Sequence, residues 1–219
     1  MTIAERVGEV RDKIGAAAGR SGRNHDDIQL IAVTKTQQPS VLAELAAAGV
    51  HDYGENRLEH LEDMVPHAPS ASRFHYIGRV QSRQFAHILP HCVSLHSLAE
   101  LHHVAKLARA AERAERQLSV YVQVNTAGEE QKAGVNPAEL GPMLEAVRAE
   151  AALELAGLMC MAPDRALVSD DLVRQAFASL RVLAQQHGVN GLSMGMSGDY
   201  ELAVEEGATV LRIGSTLFT

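Results

Sequence analysis

Short apolar runs rich in β-branched residues alternate along this chain with helix-patterned stretches, and that alternation limits the fold more than any other feature. Strands joined through helices lie parallel to one another, so repeated units of this kind build a parallel sheet covered by helices. Strand patterns occupy residues 28–35, 50–53, 74–78, 91–95, 118–125, 153–161, 192–195 and 209–213. Helical patterns fall between them, notably at 39–48, 98–116, 136–150, 169–187 and 200–206, and an opening helix at 3–18 carries Ile3, Val7, Val10 and Ile14 three or four apart. Eight strands with seven intervening helices, plus the opening one, predict an α/β chain folded as a single (β/α)8 TIM barrel over 1–219. An open doubly wound sheet is the alternative, because 219 residues is near the short end for a barrel.

Composition narrows the function classes. A 46% apolar chain of this length can bury one full core. Its formal charge of −7, with no Trp and 4% aromatic residues, offers neither the basic footprint nor the stacking surface that nucleic acid requires. No apolar stretch approaches the roughly 20 residues of a membrane span, and Met1-Thr2-Ile3-Ala4-Glu5-Arg6 lacks a secretory pattern, so a soluble, cytoplasmic protein is expected. Cys92 and Cys160 both lie in apolar runs, where buried free thiols are expected. Eleven histidines raise the question of a metal, but no His-Glu-x-x-His occurs and Pro90 interrupts the His87/His91 pair, so none is expected.

Barrel active sites collect on the loops that follow the strands. Lys35, Asn56, His75, Asn125, Met161, Ser197 and Gly214 all fall at or near strand C-terminal ends and would line one mouth. Lys35 closes the apolar run from Ile28, which gives a reason for burying its amine and so favouring the neutral, nucleophilic form. The competing reading is a lysine that simply reaches solvent from a strand end. Arg212 ends the last strand, and Gly214-Ser215-Thr216 follow it as a small-residue turn able to present N–H groups to a phosphate, with Ser197-Gly198 as the other half of the cradle. An amine able to form a Schiff base, an arginine and a phosphate cradle together point to pyridoxal 5'-phosphate (PLP). Arg212 then has two possible roles, a structural salt bridge or a hydrogen bond to the pyridine nitrogen, and His75 either faces the cofactor or is a core histidine bonded to backbone.

The ordered blocks Ile31-Ala32-Val33-Thr34-Lys35-Thr36, Tyr53-Gly54-Glu55-Asn56-Arg57, Phe74-His75-Tyr76-Ile77-Gly78 and Ala208-Thr209-Val210-Leu211-Arg212-Ile213-Gly214 resemble the YggS/PROSC pyridoxal phosphate homeostasis proteins. Further matching blocks are Val124-Asn125 with Glu130, Lys132 and Gly134, Gly157 to Pro163, and Leu192 to Asp199, so the resemblance runs nearly end to end. It implies a barrel of the alanine racemase N-terminal-domain type that binds PLP as a Schiff base on Lys35. Arg212 would face the pyridine nitrogen, Ser197, Gly214 and Ser215 would hold the phosphate with Thr216 nearby, and Asn56 would lie close to the ring. It also implies intracellular buffering or delivery of the cofactor, possible PLP-requiring apoenzymes as recipients, and no strong catalytic activity; a monomer is expected. Gln37 and Arg83-Gln84 stand where relatives commonly carry second lysines, and the chain stops at Phe218-Thr219. The runner-up is a PLP-dependent amino-acid racemase or related enzyme with Tyr53, His75 or Lys132 as a second base. A third reading is a barrel that binds a sugar phosphate without the cofactor.

Overall fold

The computed structural model describes residues 1–126 and 133–219. Its eight parallel strands close into a barrel in the order of the sequence, β1 (Gln29–Val33), β2 (Asp52–Glu55), β3 (Arg73–Tyr76), β4 (Cys92–Leu98), β5 (Leu118–Gln123), β6 (Leu153–Met159), β7 (Gly191–Ser193) and β8 (Val210–Ile213). Closure is made where Gln29 to Ala32 of β1 pair with Val210 to Ile213 of β8, which excludes the open-sheet alternative. The helices are α1 (Ile3–Arg20), α2 (Val41–Ala47), α3 (Leu58–Met64), α4 (Phe85–Ile88), α5 (Leu101–Arg113), α6 (Leu140–Arg148), α7 (Asp170–Gln186), α8 (Tyr200–Glu205) and α9 (Ser215–Phe218). None of the described helices is long and apolar enough to cross a membrane.

Strand residues alternate between the two sides of the wall. On β1, Ala32 joins the apolar layer beneath the helices, and on β3 Phe74 and Tyr76 do the same, packed with Leu42, Leu45 and Leu61. The intervening positions face the barrel axis, and there the chain places an unusual proportion of polar groups: Asp52, His75, Ser94, His96, Ser193 and Arg212 are all buried. The outer layer continues around the barrel through Phe177 and Leu180 of α7. α1 begins with a capping box, Thr2 Oγ1 accepting from the Glu5 N–H at 3.2 Å and Glu5 Oε2 accepting from the Thr2 N–H at 2.7 Å. It packs across α8 and α9, so the short turn of helix after the last strand is held by the opening helix.

Element boundaries differ from the sequence reading in informative ways. β4 runs three residues beyond 95, because His96 and Ser97, which break the apolar pattern, are inside the sheet and bonded there: Ser97 Oγ donates to the Gly78 carbonyl at 2.5 Å. β6 stops at Met159, leaving Cys160 and Met161 in the loop. Cys92 and Cys160 are buried thiols outside any disulfide, as expected, and burial pushes the Cys92 thiol up to about 12.

Candidate functional site

The period of two that places Ile31 and Val33 on the inner face of β1 carries on to Lys35, which lies over the C-terminal mouth in a turn two residues past the strand end. There it lines a cavity of about 540 Å³ together with Asn56, Ser197, Arg212, Gly214 and Ser215, so six of the eight predicted site residues converge on one space. That volume is in the range of small-molecule sites. Lys35 itself is exposed, which corrects the expectation of a buried amine: the apolar run is inside the barrel, but the chain has already left the sheet where the lysine begins. Val33, Ile77, Met159, Met161 and Met196 supply apolar walls to the same space.

On the other side of the mouth the β7 and β8 loops are laced together. Ser197 Oγ accepts from the backbone N–H of Gly214 at 3.1 Å and of Thr216 at 3.3 Å, and the Thr216 hydroxyl donates to the Ser197 carbonyl at 3.3 Å. Thr216 thus supports the cradle without lining the cavity. At Gly214 a Cβ would lie 3.4 Å from both the Cβ and the carbonyl oxygen of Val33, so the β8 loop runs within ordinary contact distance of β1. The β7 loop is fixed in turn by Asp199, whose Oδ1 accepts from the Met196 N–H at 2.6 Å. Burial raises the Asp199 carboxyl, against the pull of that hydrogen bond and of Arg212 and Arg165.

Arg212 makes no salt bridge among the described residues. Its buried guanidinium donates to Ser193 Oγ at 2.5 Å and to the Cys160 carbonyl at 3.0 Å, and burial lowers its pKa from the ordinary value. From Ser193 a chain of contacts descends through the barrel: Ser193 Oγ to His96 Nδ1 at 2.8 Å, His96 Nε2 to Ser94 Oγ at 2.7 Å, Ser94 Oγ to His75 Nδ1 at 2.7 Å, and His75 Nε2 to Asp52 Oδ1 at 2.8 Å. Arg73 closes it on Asp52 with bonds of 2.7 and 2.6 Å. At the ends of this chain an arginine only donates and a carboxylate only accepts. Two neutral imidazoles would satisfy every contact with Ser193 donating to His96 Nδ1, His96 Nε2–H to Ser94, Ser94 to His75 Nδ1, and His75 Nε2–H to Asp52. His96 is held well below the usual histidine value by burial, with His75 and Arg212 adding to it; at Asp52, burial raises the carboxyl but hydrogen bonds from His75 and Arg73 outweigh it, for a net lowering.

His75 accordingly does not stand beside Lys35. Its two ring nitrogens are committed to Asp52 and Ser94 within the barrel, partners that are side chains rather than the backbone groups expected of a core histidine. Asn125 is also absent from the cavity wall. Of the second bases considered, Tyr53 is on the outer face of β2, its hydroxyl directed at the Leu42 and Val50 carbonyls at 3.2 and 3.1 Å, and Lys132 lies outside the described residues, as does Glu130. Sequence reasoning missed Arg79, which lines the cavity just past the end of β3. An arginine directly after Gly78 of the Phe74 to Gly78 block was the available signal. It missed the axial column as well.

Fold and cavity together define a (β/α)8 barrel of the alanine racemase N-terminal-domain class, whose family model matches residues 12–219. The chain is 38% identical to the pyridoxal phosphate homeostasis protein of Pseudomonas aeruginosa and 35% identical to that of Escherichia coli, in each case over 99% of this chain and 95% of the relative. It superposes on the structure of PipY from Synechococcus elongatus with PLP bound at a TM-score of 0.85 and 30% identity, covering 100% of both chains. An alanine racemase of Clostridium difficile shares the fold at a TM-score of 0.79 and 12% identity, over 98% of this chain and 56% of its own. The chain belongs to the pyridoxal phosphate homeostasis protein family.

Proposed function

We propose that this chain binds PLP in the Lys35 cavity, holds it as a Schiff base on Lys35 and serves to buffer or deliver the cofactor rather than to turn over a substrate. The residues present fit the group. An aldehyde needs an amine, and Lys35 presents one at the rim. A phosphate needs donors, and the Ser197 and Ser215 hydroxyls line one side of the space, beside the Gly214 and Thr216 N–H groups that donate to Ser197 Oγ. A planar ring needs apolar faces, which Ile77 and the three methionines provide. Bound there, the cofactor supplies an electrophilic carbonyl that a lysine amine captures reversibly.

One observation carries the non-catalytic reading. Among the described residues, the titratable side chains lining the cavity are Lys35, Arg79 and Arg212, so no carboxylate, imidazole or phenol side chain among them stands there to abstract a proton opposite the lysine. Arg212 is always a donor, so a pyridine nitrogen facing it stays unprotonated and the ring is a weaker electron sink. On this reading residues 1–219 act as one binding unit, as a monomer in the cytoplasm, with PLP-requiring apoenzymes as the recipients. Borohydride reduction of the PLP-loaded protein followed by peptide mass mapping should place the label on Lys35. A label on another lysine, or none, overturns the assignment. Alanine racemisation at a rate of order 1 s⁻¹ or more overturns the non-catalytic part.

A further inference from the structure

Lys35 occupies the second position of a four-residue turn that is closed by the Gln37 N–H donating to the Thr34 carbonyl at 2.7 Å. Both ends of that turn are held from outside the barrel wall. Thr34 and Glu55 alternate with the inward residues of β1 and β2, so their side chains meet behind the wall, where both are fully buried and Thr34 Oγ1 donates to Glu55 Oε1 at 2.5 Å. His60 of α3 then spans the remaining gap, with Nδ1 2.8 Å from Glu55 Oε2 and Nε2 3.1 Å from the Gln37 carbonyl oxygen.

These contacts fix how many protons the assembly must hold. The Gln37 carbonyl only accepts, so His60 Nε2 carries a hydrogen. The contact between Nδ1 and Glu55 then needs one further proton, which sits on the imidazole or on the carboxyl; either placement satisfies every contact and leaves the pair neutral overall. Remove that proton and one contact must fail. If Nδ1 keeps a hydrogen for Glu55, the Nε2 lone pair meets the Gln37 carbonyl; if Nε2 keeps it, the Nδ1 lone pair meets a carboxylate. We propose that Glu55 and His60 are positioning residues that hold the Lys35 turn over the cavity through this one shared proton, and that its loss on the alkaline side loosens the turn.

The direction follows from the surroundings. Burial raises the Glu55 carboxyl, with Thr34 and His60 pulling the other way, so that carboxyl holds its proton to higher pH than an ordinary one. A proton held more tightly in the folded turn than in the free chain stabilises the turn at lower pH, and that contribution is lost as pH rises. The other titratable groups facing Glu55 are Tyr76 of β3 and Cys92 of β4, each pushed up to about 12 by burial and therefore neutral across the range. Glu59, which faces Tyr76, and Lys35 on the turn are exposed, and Arg116 faces Cys92.

This inference rests on the reading of Lys35 as the residue that captures PLP, and its test separates the two. Glu55→Gln replaces the labile proton with a permanent amide N–H: the amide oxygen accepts from Thr34, the amide donates to His60 Nδ1, and His60 Nε2–H still donates to Gln37. The full-length protein and this variant, both loaded with PLP, are reduced with borohydride at pH values from about 6.5 to 9.5, and the labelled fraction of the Lys35 peptide is measured. Relative to the variant, the unaltered protein should lose about fivefold in labelling over that range, the value of one net hydrogen bond. His60→Ala, folded by circular dichroism, should label poorly at every pH. A second readout needs no cofactor: exchange of the Gln37 amide hydrogen is compared with that of the Gln29 amide, which the Thr209 carbonyl holds at 2.8 Å, and in the unaltered protein it should accelerate with pH more steeply than at Gln29. Superimposable labelling profiles, or a Gln37-to-Gln29 exchange ratio that is flat with pH, overturn the shared-proton clamp. Absence of label on Lys35 at every pH overturns the cofactor reading instead, and the exchange ratio, measurable even if Glu55→Gln does not fold, still decides the clamp.

Discussion

Ser193→Ala is the sharpest test of the axial column that ends on Arg212. The substitution removes one oxygen that accepts from the Arg212 guanidinium at 2.5 Å and is hydrogen-bonded to His96 Nδ1 at 2.8 Å. Both orphaned groups are buried, Arg212 at 4% and His96 at 1% exposure, with Arg212 also bordering the Lys35 cavity. An unsatisfied buried polar group costs about 1–3 kcal/mol, and a charged one more. Two such groups would cost about 2–6 kcal/mol, and because Arg212 keeps its bond to the Cys160 carbonyl we expect about 3 kcal/mol. With urea slopes of about 1–3 kcal/mol per molar, the unfolding midpoint should fall by about 1 M or more. Ser179→Ala is the matched control, because that hydroxyl bonds the Gln175 carbonyl on an exposed helix face and its loss should stay within about 0.5 kcal/mol.

The column also predicts a coupling. Ser94→Ala breaks the chain on the other side of His96, so the double variant leaves His96 free of both directional demands, and the two single costs should exceed the double cost by about 1 kcal/mol. A Ser193→Ala protein within about 0.5 kcal/mol of the unaltered one, at the same urea slope, would refute the column as a stabilising network.

Two further outcomes follow from the packing and charge of the same barrel. At Gly78 an added Cβ would fall 2.1 Å from the Asn56 carbonyl oxygen and 2.7 Å from its Cα, so Gly78→Ala must displace the backbone that carries Asn56 into the cavity; a cost of about 1–3 kcal/mol by thermal unfolding and weaker PLP binding by titration are expected, and unchanged values for both would contradict the geometry. Asp52 is net lowered in the folded chain, so its contribution is present above the unfolded carboxylate value of about 3.9 and disappears as pH falls through the folded one. Asp52→Asn should therefore flatten the acid side of the stability-against-pH curve, and a variant that loses stability toward pH ~3 as steeply as the parent would show that another carboxylate controls it.

The barrel was legible because its strands are apolar on the outer face and follow one another at short spacing, and Lys35, Arg212 and the Gly214 to Thr216 turn were legible because they stand at strand ends. What the sequence concealed were polar residues inside strands. His96 and Ser97 read as the end of β4, whereas the sheet includes them because each finds a partner, His96 across the barrel on β7 and Ser97 at Gly78 beside the neighbouring β3. His75 has the right parity to face inward, but parity does not give depth along the axis, and depth is what separates it from the Lys35 cavity. Glu55 stood in plain view within Tyr53-Gly54-Glu55-Asn56; its meeting with Thr34 and His60 needs the β1–β2 pairing, which brings Thr34 N–H to the Gly54 carbonyl at 3.1 Å.

The two concealed assemblies act on the cavity from opposite sides of one wall. Inside, Arg212 is a buried cation held by a hydroxyl and a carbonyl, both neutral; the polarised column carries its field toward the Asp52 carboxylate, and a chain of aligned hydrogen bonds strengthens each of its members. Outside, the Lys35 turn is exposed at its corner and hydrogen-bonded at its anchors, so the amine can move with a ligand while Thr34 and Gln37 stay fixed. On the proposed reading, capture and release of an aldehyde would draw on both: a rigid cation beside the ring, and an amine on a turn whose hold depends on contacts of about 1 kcal/mol each rather than on burial.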